Sequence, residues 1–219
     1  ANTAWAFATA SVEAPALFNA IADAALTKLD GFTPQALANT AWAFACIGWS
    51  NSDIFVALLS PLGTVNHSSL NNVQLSQLYL VSLHFQLEFQ GQKFPLAHIQ
   101  SELLTAFKFH QPKPSKLQRD VAAVLTRIGW DHIFEFVTRE GLSLDMAQPE
   151  AMTAIEVDGP THYLKRKGEQ RLENGHTKFK SRILRQLGWT VIHVPYFEWN
   201  ALTDVAAKDS YLQSKVKGK

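Results

Sequence analysis

The sequence predicts a region of helical repeats followed by an α/β domain, in which a mixed sheet has the element order αβββαβα. Three observations support this fold class. A seven-residue motif at positions 2–8 recurs at 39–45, and self-similarity at this interval is typical of a helical solenoid. A polar segment at 111–115 contains two prolines, which break helices, and helical and strand-like patterns alternate after it. We therefore predict two domains, residues 1–111 and 112–219.

Each repeat is predicted to be a pair of helices. Residues 15–29 place apolar side chains three and four positions apart, and Asp30 and Gly31 end that helix. Thr33 and Pro34 then begin the next helix as its N-cap and its first residue.

A third repeat is degenerate, as expected where a stack of repeats ends. It covers residues 72–80, where Leu75 aligns with Leu37 of the second repeat, and residues 95–109 form a further amphipathic helix. We interpret the Trp and Phe residues of the repeats as core, because an aromatic stripe at helical spacing packs more often than it binds a ligand.

The second domain is predicted to begin with a helix over residues 116–128, with Ser115 as N-cap and Gly129 at its end. Three strands follow, at 133–138, 142–146 and 151–157. The polar residues 165–174 are expected to form a loop. A helix, a strand and a final helix follow at 177–187, at 190–194 and from 198 onward. Three meandering strands with a helical crossover to a fourth give a mixed sheet.

Composition indicates an ordered globular chain, since 47% of its residues are hydrophobic and 18% are charged. No apolar run approaches the roughly 20 residues of a membrane-spanning helix, so no membrane segment is expected. The single cysteine, Cys46, excludes an internal disulfide framework and is interpreted as a buried thiol. Residues 1–110 hold three basic and six acidic side chains, and the remainder hold 17 and 13, so a polyanion is expected to bind the C-terminal part.

Carboxylates cluster around the end of the third predicted strand. Glu156 and Asp158 are two residues apart, so both side chains leave the same face of the strand. Asp145 approaches them across the ladder if residues 142–147 and 151–157 pair as a hairpin. Three converging carboxylates repel one another unless a divalent cation lies among them, and such oxygen ligands favour Mg²⁺ or Mn²⁺.

The alternative is that these acids merely solvate a turn, as most single Asp and Glu residues do. Glu156 lies between Ile155 and Val157, which disfavours a solvated position, and His162 lies close by in sequence.

The densest basic region of the chain follows these acids. Its eight positive charges face only Glu169 and Glu173, so phosphates drawn there would lie beside the carboxylates. A solvated helix face is the alternative interpretation. The eight residues are Lys165, Arg166, Lys167, Arg171, Lys178, Lys180, Arg182 and Arg185.

Residues from about 118 to 200 resemble a RAP domain, an RNA-binding domain abundant in apicomplexans. The segments that carry the resemblance are 144–145, 155–162, 174–180, 187–191 and 194–199. The repeats resemble octotricopeptide repeats, which often precede RAP domains in organellar RNA factors of algae and other protists. The RAP domain is in turn similar to very-short-patch-repair-like PD-(D/E)xK nucleases, which implies a restriction-endonuclease-like fold for the second domain.

This resemblance implies that Asp145 and Glu156 are the two metal-binding acids of the nuclease motif. Asp158 stands where many members carry a lysine. A metal held by the three acids would polarise the scissile phosphate and lower the pKa of a bound water. Asp120, on the helix before the strands, either adds a metal contact or is simply solvated.

The resemblance also implies groups that move protons. Lys178 or Lys180, on the following helix, would replace the missing lysine. His162 would act as a general base or protonate the leaving oxygen.

The function implied by the resemblance is that of an RNA-binding and RNA-processing factor in a mitochondrion or chloroplast. Its repeats would select a transcript, and its RAP domain would act as a metal-dependent endoribonuclease. Two alternatives stay open: a catalytically inactive RNA-binding or RNA-stabilising module, and a structural component of an organellar ribosome. The expected partner is single-stranded RNA, a transcript or rRNA. The chain begins at Ala1 inside a repeat, which indicates a fragment of a longer protein, so the lack of a targeting segment says nothing about location.

Overall fold

The computed structural model of this chain describes residues 1–64, 70–109, 114–165 and 171–217. The chain divides into two compact units, and the first break along the sequence lies beside the two-proline segment. The repeat unit comprises Ala1–His110 with Leu164–Ile183, and the sheet unit comprises Gln111–Tyr163 with Leu184–Lys219.

Six α-helices form three consecutive pairs in the described part of residues 1–109. They are α1 (Asn2–Thr9), α2 (Pro15–Thr27), α3 (Pro34–Cys46), α4 (Ser52–Leu59), α5 (Asn72–Glu88) and α6 (Gln100–Phe109). The first helices of the pairs pack in series, α1 against α3 and α3 against α5. The predicted helix pairs are therefore present, whereas a continuous solenoid stays a prediction.

The second copy of the repeated motif lies at the centre of the repeat unit. Trp42 and Phe44 on α3 are almost fully buried, whereas Trp5 at the equivalent position of α1 is 40% exposed. Thr33 caps α3 as predicted, because its side chain accepts a hydrogen bond from the Ala36 N–H at 3.2 Å. Cys46 is buried, and burial raises the pKa of its thiol to about 12.

The elements after residue 114 alternate helix and strand. In chain order they are α7 (Lys116–Arg127), β1 (Ile133–Val137), β2 (Ser143–Gln148), β3 (Thr153–Asp158), β4 (Tyr163–Lys165), β5 (Arg171–Glu173), α8 (Gly175–Gln186), β6 (Thr190–Pro195), α9 (Tyr196–Ala201) and α10 (Val205–Lys217). The helix α7 begins with the predicted cap, since Ser115 and Gln118 exchange the two hydrogen bonds of a capping box.

The predicted mixed sheet is confirmed. Four strands lie in the order β1-β2-β3-β6, with antiparallel pairing of β1 to β2 and of β2 to β3, and parallel pairing of β3 to β6. The buried core of the sheet unit joins α7, α9 and α10 to one face of this sheet. Its members include Val121, Val124, Leu125, Met146, Ile155, Val157, Ile192, Val194, Trp199 and Leu212.

The loop predicted at residues 165–174 is wrong in part, because β4 and β5 lie at its ends and form a second, two-stranded sheet. Polar composition hid these strands, since a short strand outside a core needs no apolar alternation. The predicted final helix is two helices, α9 and α10, separated by Leu202 to Asp204. Across the described ranges, no helix has both the length and the apolar character needed to cross a bilayer.

Candidate functional site

The candidate site lies at the carboxyl ends of β3 and β6, the two parallel neighbours in the sheet unit. Their register places Asp158, the last residue of β3, opposite Pro195, the last residue of β6. The residues that follow both strands therefore meet at one edge of the sheet, where open α/β sheets commonly bind ligands.

Asp158 is the centre of this site. Its side chain is 1% exposed and accepts hydrogen bonds from two imidazoles, since His162 Nδ1 lies 3.1 Å from one carboxylate oxygen and His193 Nδ1 lies 2.7 Å from the other. The hydroxyl of Tyr163 lies 3.4 Å from the oxygen that faces His193. One buried carboxylate thus orients three polar side chains.

The two imidazoles keep Asp158 ionised. Burial alone would raise the pKa of this carboxyl group, but the hydrogen bonds from His162 and His193 outweigh burial and lower the pKa to about 2. The imidazoles differ in access to solvent, because the His162 side chain is 39% exposed and the His193 side chain is 16% exposed.

Three half-buried aromatic rings form a cluster at the same strand ends. The ring centroid of Tyr163 lies 6.1 Å from that of Tyr196 and 5.2 Å from that of Phe197, and the last two rings lie 5.5 Å apart. Tyr196 and Phe197 begin α9 directly after β6, so the same register that aligns the strand ends brings the rings together. Tyr163 belongs both to this ring cluster and to the polar side chains around Asp158, because its hydroxyl faces the Asp158 carboxylate.

A second layer of polar contacts fixes the end of β6. Lys215 on α10 donates a hydrogen bond to the carbonyl of His193 at 2.9 Å and lies 3.2 Å from the carboxylate of Glu198. Tyr211 donates to the same carboxylate at 2.6 Å, and burial together with Glu198 raises the pKa of Tyr211. These contacts hold the backbone from which the His193 side chain projects.

The structure gives Asp145 a role within the sheet. One carboxylate oxygen accepts a hydrogen bond from Gln118 Nε2 at 2.7 Å, and the other accepts one from the backbone N–H of Val157 at 2.7 Å. The pairing of β2 with β3 ends at Met146 and Ile155, so the Asp145 side chain supplies an acceptor to β3 just beyond that pair.

The three acids predicted to share a metal are not gathered at one point in the described part of the chain. Glu156 and Asp158 are buried, with 5% and 1% exposure, and alternate with the core residues of β3 as predicted. Among the residues that the structure describes, however, these two acids and Asp145 do not bring three ligand atoms within 4.8 Å of one another. Both oxygens of Asp145 and both oxygens of Asp158 already accept hydrogen bonds from the protein.

Asp120 has the exposed position of the solvated alternative, but it is not simply solvated, because its carboxylate also binds two side chains. Its carboxylate accepts hydrogen bonds from Trp199 Nε1 at 2.8 Å and from Lys208 Nζ at 2.7 Å. It therefore joins α7 to α9 and α10.

The predicted phosphate-binding cations differ in their exposure to solvent. Arg171, Lys178 and Arg185 are exposed, and Lys180 is half-buried. Arg166 and Lys167 lie outside the described residues, as does the side chain of Lys165.

Arg182 has a structural role instead of the predicted one. Its guanidinium donates to the carbonyl of Cys46 at 3.0 Å and to the carbonyl of Ala45, and it lies over the Phe179 ring. These are carbonyls at the C-terminal end of α3, which attract a cation.

Sequence reasoning missed four residues of the site: His193, Tyr163, Tyr196 and Phe197. The signal that could have located them is the parallel pairing of β3 with β6. Aligning the ends of two parallel strands brings the residues after each of them to one edge, and a lone histidine within the apolar run of β6 then faces Asp158.

Comparison with known proteins adds a family likeness. A family model of the RAP domain matches residues 155–215, a stretch that includes the last four residues of β3, the strand-end residues and most of α10. The chain is 26% identical over 192 residues to the "RAP domain-containing protein, chloroplastic" of Oryza sativa subsp. japonica. That alignment covers 83% of this chain and spans 29% of the length of the rice protein.

Proposed function

We propose that this chain is an RNA-binding factor of a chloroplast or a mitochondrion. The observation that carries the proposal is the RAP-domain match over residues 155–215, because RAP domains are associated with RNA binding. The likeness to a rice protein described as chloroplastic supports the organellar assignment. The octotricopeptide-like repeats would add sequence selection, which is part of the same proposal.

Exposed cations support this proposal physically. Arg171, Lys178 and Arg185 present positive charge to solvent within the matched stretch. Side chains of this kind neutralise phosphates and release counterions, which makes affinity fall as salt concentration rises.

The test is the salt dependence of binding to single-stranded RNA. We expect replacement of both Lys178 and Arg185 by Ala to weaken binding and to reduce the slope of log affinity against log salt by about 1 to 1.5. Lys93→Ala, which removes an exposed cation of the repeat unit outside the matched stretch, is the control and should change the slope less. Absence of RNA binding by the unsubstituted chain would contradict the proposal.

A metal-dependent endoribonuclease is a second candidate, and one observation favours it: β3 carries two buried carboxylates, Glu156 and Asp158, at alternate positions. The hydrogen bonding of Asp145 disfavours it. We expect labelled RNA incubated with Mg²⁺ or Mn²⁺ to be cleaved no faster by the unsubstituted chain than by Asp145→Ala and Glu156→Ala. Cleavage that both substitutions abolish would instead establish the nuclease.

A further inference from the structure

We propose that one face of α1 binds a further helix pair of the same repeat type, in addition to the three pairs described above. The face consists of Thr3, Ala6 and Phe7, which belong to the first copy of the repeated motif. The proposal concerns the repeat unit alone and does not depend on RNA binding.

The corresponding face is buried in the second pair. Its three residues are identical in type and are each 0% exposed: Thr40, Ala43 and Phe44. In the first pair, by contrast, Thr3 and Ala6 are exposed and Phe7 is half-buried. Because the amino acids are the same, the difference in exposure reflects what packs on each copy, and α1 packs on α3.

The third pair is buried at the same positions. The alignment of Leu75 with Leu37 places three residues of α5 there, and each of them is 0% exposed: Leu78, Val81 and Ser82. The face is therefore buried in both pairs that follow another pair and open in the first. In stacked repeats each unit contacts its neighbours, so an open face of this kind matches a neighbouring pair.

A phenylalanine on the second helix of each preceding pair contacts the next pair. Phe18 on α2 packs edge-to-face against Phe44 on α3, with ring centroids 5.5 Å apart. Phe55 has the corresponding position on α4, and its ring centroid lies 6.3 Å from that of Phe85 on α5. The occupant of the α1 face is therefore expected to present an aromatic side chain to Phe7.

The charges of the first pair favour a helical partner over a nucleic acid. The helix α1 contains no charged residue, and the only charged residue of α2 is Asp23. A phosphate backbone would find no lysine or arginine on either helix. Trp5 is 40% exposed, and uncharged faces with exposed aromatic side chains are typical of the centre of a protein interface.

The experiment places a second copy of residues 1–37 ahead of Ala1 in the 219-residue chain and measures hydrogen exchange in α1 by mass spectrometry. We expect the added pair to slow the exchange of the α1 amides at least about tenfold, because a terminal helix that becomes internal opens less often. An added copy that carries Phe18→Asp should not protect α1, since it lacks the contacting ring.

A charge on the face of the original α1 tests where the added pair binds. Ala6→Glu replaces an exposed residue, so it should leave the melting temperature of the unextended chain nearly unchanged but remove the protection in the extended chain. Ala16→Glu is the matched control, because Ala16 is also exposed and its counterpart in the second pair is the exposed Asp53. It should leave the protection intact. If Ala6→Glu lowers the melting temperature of the unextended chain, Thr3→Glu replaces it.

Each outcome decides the proposal. Unchanged exchange of α1 in the extended chain would overturn it, and so would protection that persists with Ala6→Glu. Self-association of the unextended chain that Ala6→Glu removes, measured by sedimentation velocity, would also overturn it, because a second copy of the chain would then be the occupant. None of these measurements involves RNA, so the proposed function stands or fails separately.

Discussion

Asp158 shows how a single buried charge is stabilised at a strand end. A carboxylate with 1% exposure is unfavourable unless its oxygens accept hydrogen bonds, and here two imidazoles and a tyrosine hydroxyl surround it. Since the pKa of Asp158 is lower in the folded chain than in the unfolded chain, its ionisation contributes to stability.

The first prediction is the pH dependence of that contribution. The pKa of Asp158 falls from 3.8 to about 2 on folding, so its ionised form adds roughly 2 kcal/mol to the free energy of unfolding. The contribution is complete above about pH 4 and is lost as the pH falls through about 2. Urea unfolding of Asp158→Asn should therefore show a loss of about this size near pH 6 that shrinks toward pH 2.

An unchanged difference between the two chains from pH 6 to pH 2 would contradict this account of Asp158. Glu150→Gln, which replaces an exposed acid in the turn between β2 and β3, is the control and should show a smaller difference.

At the scale of residues, the sequence predicts the burial and the shared strand face of the acids better than it predicts their hydrogen-bond partners. Glu156 lies between two apolar residues, so its burial and the shared face of Glu156 and Asp158 follow from strand alternation. The partners of Asp158 do not, because His193 comes from a strand 35 residues away whose register only the folded sheet fixes. Asp145 was expected to bind a metal. In the structure its carboxylate accepts a hydrogen bond from the backbone N–H of Val157. The sequence alone does not distinguish a metal-binding carboxylate from one that accepts a backbone hydrogen bond.

The helix α8 shows how one element serves packing and solvent at once. Its buried positions include Phe179, which packs edge-to-face against Trp42 with ring centroids 6.5 Å apart. Asn174 caps the helix by accepting a hydrogen bond from the Thr177 N–H at 2.9 Å. Lys178 and Arg185 are on its exposed positions.

The second prediction concerns the close approach of the first residue of α8 to α1. A Cβ atom on Gly175 would lie 1.9 Å from the carbonyl oxygen of Ala8 and 2.9 Å from Cys46 Sγ. Gly175→Ala should therefore lower the free energy of unfolding by roughly 1 to 3 kcal/mol, measured by urea denaturation.

Gly159→Ala is the matched control for this substitution. A Cβ on Gly159 would have no atom of the described residues within 4 Å. The substitution should therefore change the free energy of unfolding by no more than about 0.5 kcal/mol. Equal stability of the two variants would show that α8 does not pack as described.

The third prediction separates two arginines of α8. Arg182→Met keeps the apolar stem but removes the hydrogen bonds to the Ala45 and Cys46 carbonyls, and should cost roughly 1 to 3 kcal/mol of stability with little change in RNA affinity. Arg185→Met, at an exposed position, should change stability by less than about 0.5 kcal/mol and weaken RNA binding. Thermal melts and anisotropy titrations measure the two effects, and the reverse pattern would contradict the assignment.

At the scale of elements, helices are predicted more completely than short strands. Ser115 and Thr33 cap helices as expected, because a cap is decided within four residues. The strands β4 and β5 were missed because three-residue strands in a polar stretch have no periodicity to detect. The basic pattern likewise does not separate Arg182 from Arg185, since their different roles depend on which face of α8 meets α3.

At the scale of the whole molecule, the internal repeat and the two-proline segment predict a repeat domain followed by a second domain, which composition alone does not. The repeat unit includes residues 164–183 from beyond the proline segment, which no local pattern indicates. The basic residues, the strand ends and the RAP-domain match all fall in the C-terminal half, so the account places RNA binding there. In this account Asp158 orients two imidazoles at the strand ends, and RNA binding needs no metal shared by the acids.

The most direct test of this central claim is the affinity of the chain for single-stranded RNA in the presence of EDTA. The account predicts binding in EDTA at least as tight as in Mg²⁺ or Mn²⁺, because divalent cations compete with lysine and arginine for phosphates. Binding that appears only when Mg²⁺ or Mn²⁺ is added, and that Asp145→Ala abolishes, would contradict it.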